Sequence, residues 1–211
     1  MTEPPRLWDV PTMRGYWRFH IFLFGEGSLP GYCPSREVLV LISVDVGLHG
    51  LAFAAWDQVG EGGLTAAWYT AASQKGRGAE AWRRLVQETV NPALAGCDLV
   101  VETMVHYQGS RTDPADLLEL QGIAGALVMA VPWASVENVE ARTWTEGVPK
   151  EVRHARLDML LEQRGWAAAI DVPKPRSRMV DVLDAVGLGL WWTSSRSTRR
   201  WRVGEKGACR R

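Results

Sequence analysis

From Glu37 to Asp45 the chain reads EVLVLISVD, a nearly unbroken apolar run closed by a carboxylate. Such runs fit strands that are covered on both faces. GLHG then supplies glycines for a turn, and LAFAAWD reads as a second strand. GEGG interrupts, and LTAAWYTAA reads as a third. Three short strands joined by tight turns predict an antiparallel meander. The period then changes. In GAEAWRRLVQETVNPALAG, Trp82, Leu85, Val86 and Val90 recur at helical spacing, with Pro92 and Gly96 near the end. CDLVVET is a short buried strand. DPADLLELQGIAGALVMAV opens on Asp113-Pro114, with proline at the first helical position. SVENVEA fits another strand, and PKEVRHARLDMLLEQRG an amphipathic helix with a basic first half. SRMVDVLDAVGLGLWW reads as a last helix despite two glycines. The order β-β-β-α-β-α-β-α-α predicts an α/β fold, a mixed sheet that starts antiparallel and continues as βα units, with helices on both faces.

Composition adds limits. The 211 residues, 46% apolar and 23% charged, suit one globular domain with a proper core. Residues 1–36, rich in proline, glycine and aromatics, read as an extension packed on the core, in which WRFHIFLF is a further strand candidate. The domain then spans residues 37–195, and residues 196–211 form a basic tail. The formal net charge is zero, so no global basic field points to nucleic acid. The tail can bind phosphate locally or be a solvated end. The eleven tryptophans are packing anchors or contact residues, and composition does not separate the two. Cys33, Cys97 and Cys209 form no CxxC pair, which argues against a zinc site or a disulfide framework. No apolar run approaches membrane-spanning length and the first residues lack a signal-peptide core, so a cytoplasmic location is expected.

The candidate chemistry lies in the carboxylates. The run DLVVE ends in Glu102 much as the first run ends in Asp45. In open α/β sheets, sites form beyond the carboxyl ends of parallel strands. The last helix adds Asp181 and Asp184, three apart and therefore on one face. Each has an ordinary explanation: Asp45 as a turn former, Glu102 as a strand end in solvent, the helical pair as surface charge. Their conjunction in this topology points to a shared site. Two unit charges about 4 Å apart repel by on the order of 4 kcal/mol at an effective dielectric of about 20. A cluster of four therefore needs protons or a divalent cation. All-oxygen donors suit Mg²⁺ or Mn²⁺, and two such ions suit phosphodiester hydrolysis.

On these residues the chain resembles the RuvC family of Holliday-junction resolvases, within the RNase H-like superfamily. SVDVGLHGLAFA resembles that family's first-strand motif, and LVVETMVHYQG its fourth-strand motif. MVDVLDAVGLGL is similar to its final-helix motif, and ARTWTEGVPKEVRHARL to a segment in which a lysine-bearing helix follows a loop. The resemblance covers roughly residues 37 to 195. It implies an RNase H-like fold and a homodimer that nicks four-way DNA junctions. It also implies two Mg²⁺ or Mn²⁺ ions held by Asp45, Glu102, Asp181 and Asp184, and Lys150 facing DNA. Val46 stands where that family usually has proline. Val105 stands near the position of a junction-wedging aromatic, with Tyr107 close by.

Lys150, Arg153, His154 and Arg156 cluster at one helix start, where the helix dipole does not favour positive charge. An external anion or surface solubility explains them. The loop HYQGSRTD offers Tyr107 for stacking and Arg111 for phosphate. No base-reading pattern is evident, so backbone charge and DNA shape are the expected means of recognition. His49 reads as a turn residue. The leading expectation is a metal-dependent, structure-selective endonuclease, a junction resolvase first. The alternatives are an RNase H-like nuclease on flaps, R-loops or RNA–DNA hybrids, a non-catalytic DNA-binding protein of the same fold, and, last, an actin-like phosphotransferase.

Overall fold

A computed structural model describes residues 40–57, 63–73, 76–103, 105 and 113–207. The strand candidate in the N-terminal extension, Tyr107 and Arg111 lie outside the described residues, as do the side chains of the basic tail. The strands are β1 (Val40–Gly47), β2 (Gly50–Asp57), β3 (Gly63–Ala71), β4 (Asp98–Thr103) and β5 (Ser135–Glu140). The helices are α1 (Ala79–Thr89), α2 (Pro114–Val128), α3 (Ala141–Thr145), α4 (Lys150–Gln163) and α5 (Met179–Gly207). They form a five-stranded sheet in the order β3-β2-β1-β4-β5. β1 pairs antiparallel with β2, and β2 with β3. β1 and β4 run parallel, as do β4 and β5. The predicted mixed sheet is therefore present, with the meander on one side and the βα units on the other.

Both faces are covered, which explains the continuous apolar runs. Even-numbered β1 residues Val40, Ile42, Val44 and Val46 pack with Leu85 and Val86 of α1 and Ile123 and Leu127 of α2. Leu41 packs on the opposite face with Leu157 and Leu161 of α4 and Val182, Ala185 and Val186 of α5. Asp113 caps α2 by accepting from the Ala115 N–H at 2.9 Å, with Pro114 as the first helical residue. α5 extends past the boundary expected at residue 195, to Gly207. No proline follows Pro175, so nothing in the sequence forces an earlier stop. α3 was not anticipated. It is a five-residue turn whose Trp144 is buried.

Gly187 and Gly189 of α5 mark a close approach to neighbouring side chains. A Cβ on Gly189 would collide with the Trp56 indole and the Ser43 hydroxyl. A Cβ on Gly187 would lie 3.0 Å from the Trp144 ring. Under this close contact the buried Ser43 hydroxyl donates to the Ala185 carbonyl at 2.8 Å and accepts from Trp56 Nε1 at 3.1 Å. This polar tie fixes α5 over β1, and so fixes where its acidic residues fall.

Candidate active site

Asp45 has the parity of Leu41 and Ser43, so it projects towards α5. On β4, Val100 packs on that same face, and Glu102 shares its parity. The parallel ladder pairs Ser43 with Val100 and Val44 with Val101. One further step in this register places Asp45 beside Glu102. The chain turns back from β1 into β2 on one side, while β4 lies on the other. The two carboxylates therefore sit at a topological switch point, at the carboxyl ends of parallel strands.

Electrostatics join the helical pair to these two. Burial raises the Asp45 carboxyl well above its ordinary value, and the charges of Asp184, Glu102 and Asp181 raise it further, against Lys150. Among the described residues no hydrogen-bond donor reaches Asp45. Glu102 is also raised, first by burial and then by Asp184. Trp144, Arg153 and Lys150 pull it back. All four acidic residues expected from the sequence therefore fall within one electrostatic neighbourhood.

The protein supplies its own counter-charges to the helical pair. Asp184, only 7% exposed, meets Lys150 Nζ at 2.5 Å, His154 Nε2 at 2.9 Å and Arg153 at 3.4 Å. Asp181 meets Arg178 at 3.3 Å. The basic start of α4 thus turns inward, towards Asp184. Its inward face runs through Lys150, Arg153, His154, Leu157 and Leu161, while Arg156 is exposed and, among the described residues, pairs with no member of the cluster. Arg153 also lies over the Trp144 ring, 4.4 Å from its centre, with Nε buried and unpartnered.

Three participants were not singled out from sequence. Trp144 Nε1 donates to Glu102 Oε2 at 2.7 Å. Tyr69 lies across β2 from Asp45, since both pair with Ala52. Its phenol is raised by burial and by Asp181 and Asp45, and lowered by Arg178, whose guanidinium lies 5.4 Å from the ring centre. Trp144 lies in a helix too short for periodicity, and Tyr69 comes into line only through two strand registers. Arg178, adjoining Asp181, was visible as charge just before a helix.

The donor set is all oxygen, and the carboxyls of Asp45 and Glu102 are raised first by burial and then by neighbouring negative charge. That chemistry fits a hard divalent cation. Among the described residues, however, no group of three or more acidic, histidine or cysteine side chains stands ready to enclose an ion. Asp184 and Asp181 instead face Lys150, His154, Arg153 and Arg178. Holding a metal there would require those two side chains to exchange these partners for it.

The five-stranded mixed sheet with helices on both faces and carboxylates at the ends of its parallel strands defines the class as a mixed α/β fold. No protein-family model matches the sequence, and no curated protein is significantly similar to it. Among solved structures, the fold is similar to RuvC of Thermus thermophilus, with a TM-score of 0.48 and 17% identity over 76% of this chain and 97% of that one. It is similar to the fowlpox virus Holliday junction resolvase, with a TM-score of 0.47 and 16% identity over 74% and 99%. The T. thermophilus RuvC solved in complex with a Holliday junction substrate gives a TM-score of 0.46 and 15% identity over 75% and 96%. No helix among the described residues is long and apolar enough to cross a membrane.

Proposed function

We propose that this chain is a divalent-metal-dependent endonuclease that cuts branched DNA, four-way junctions foremost, and acts as a homodimer. The observation that carries the reading is Asp45, set in register beside Glu102, with no donor among the described residues and a carboxyl raised well above its ordinary value by burial and then by the charges of Asp184 and Glu102. Asp45, Glu102, Asp181 and Asp184 would hold two Mg²⁺ or Mn²⁺ ions. When bound, these supply an activated water and stabilise the leaving oxygen of a phosphodiester. Trp144 orients the Glu102 carboxylate. Lys150, Arg153 and His154 hold Asp184 when no metal competes, and Lys150, which is exposed, would meet a DNA phosphate once released from Asp184. Arg156, Tyr107 and Arg111 remain candidates for DNA contact away from the acidic cluster.

The test is nicking of a labelled four-way junction with Mg²⁺ or Mn²⁺, beside a flap and an RNA–DNA hybrid. Paired nicks in the junction that vanish in Asp45→Asn are the expected result. Preferential cutting of the hybrid would move the reading to an RNase H-like activity. A second reading, a DNA-binding protein without cleavage, is favoured by the internal pairing of Asp184 with three partners. Junction binding with no metal-dependent cleavage would establish it.

A further inference from the structure

Immediately before α5 the chain reads VPKPRSR, placing Lys174, Arg176 and Arg178 at alternate positions. This segment is anchored. Ile170 bridges to Ala67 of β3, and the Asp171 N–H donates to the Ala67 carbonyl at 2.8 Å. Pro173 is buried, and a short 3₁₀ turn, Arg176–Arg178, is closed by the Arg178 N–H donating to the Pro175 carbonyl at 3.0 Å. Two prolines and these ties hold the backbone along the β3 side of the site. Lys174 and Arg176 are exposed, and among the described residues no carboxylate reaches either one. Arg178 joins the segment to the cluster through Asp181 and Tyr69.

The charge pattern is an acidic floor with cations at two rims. Lys150 stands at the start of α4, beside Asp184, and the VPKPRSR segment stands at the β3 edge. A solvated basic loop would not need anchoring, nor a link to the acidic residues. A polyanion whose reacting phosphate is neutralised over the floor, while its flanking phosphates meet the rims, fits both. We infer that Lys174 and Arg176 are a phosphate-backbone contact site for duplex DNA on the β3 side of the cluster. Arg178 is the link that registers this rim with Asp181. The inference rests on the nuclease reading, and it names a contact that neither the acidic quartet nor the start of α4 supplies.

Binding of a fluorescent four-way junction is measured against salt in the full chain carrying Asp45→Asn, so that the DNA stays intact. Each phosphate contact contributes a slope of about −0.9 in log K against log salt. Adding Lys174→Ala and Arg176→Ala should make the slope shallower by about 1.8 and weaken binding several-fold, with the thermal midpoint kept. Arg176→Glu alone should weaken binding at least as much. Arg83→Ala, on the far helical layer, should change nothing. An unchanged slope and affinity in both the double variant and Arg176→Glu would overturn the contact site while leaving the nuclease reading standing. Absence of any junction binding by the parent chain would overturn both.

Discussion

Trp144→Phe separates the two jobs of a single side chain. The indole N–H donates to Glu102 at 2.7 Å, while its ring supports the Arg153 guanidinium at 4.4 Å. Phenylalanine keeps an aromatic face and removes the donor. A hydrogen bond to a charged group contributes roughly 1.5–3 kcal/mol. Loss of a partner that orients a metal ligand typically lowers metal affinity about 10- to 100-fold, which is about 1.4–2.7 kcal/mol. The two ranges agree, so Mn²⁺ affinity should fall within that span. Proton competition adds a direction. The Trp144 bond is the largest influence lowering the Glu102 pKa against burial. Its loss raises that pKa further, and the pH of half-maximal metal binding should move up. Calorimetric Mn²⁺ titration at several pH values reads both effects. Thermal melts without metal report the separate cost of the smaller ring against Gly187. Affinity and pH dependence equal to the parent would refute the idea that Trp144 holds Glu102 for metal.

Asp45→Asn should stabilise the metal-free protein at neutral pH, because it removes an ionised group that its surroundings resist. The folded pKa lies above the ordinary 3.8, so the folded state binds the proton more readily than the unfolded chain. Stability of the parent therefore falls as pH rises from about the ordinary value through the raised one, and the advantage of the variant disappears below that window. Melts in chelator across pH would contradict this if Asp45→Asn were the less stable chain at pH 7. Mg²⁺ should raise the melting temperature of the parent and leave that of the variant unmoved. Gly189→Ala forces a methyl group against Trp56 and Ser43 and should cost about 1–3 kcal/mol, read by denaturant unfolding. Ser43→Ala leaves the buried Trp56 N–H without its acceptor and should cost about 1–3 kcal/mol. Unfolding midpoints unchanged in both variants would mean that α5 is not seated as described.

The sheet was legible because both of its faces are buried. β1 and β4 show as apolar runs, and each run announces its site residue by ending in a carboxylate. The convergence of Asp45 and Glu102 needed one further fact, the parallel register, which no local pattern encodes. The start of α4 shows where local reasoning stops. Its cations looked unfavourable against the helix dipole, and an outside anion was one explanation. Lys150, Arg153 and His154 instead meet an anion from inside the chain, Asp184, contributed by a helix some thirty residues later. Only tertiary structure reveals that partner. The glycines of α5 were visible but went unexplained. In a helix each costs about 1 kcal/mol relative to alanine, so taken alone they argue against the element they occupy. Packed against the sheet the argument reverses, because Trp56, Ser43 and Trp144 occupy the space that side chains would need. That close seat sets the height of the helix, from which the charges of Asp181 and Asp184 are felt at Asp45. The local weakness of α5 and the placement of its acidic residues are therefore both tied to Gly187 and Gly189.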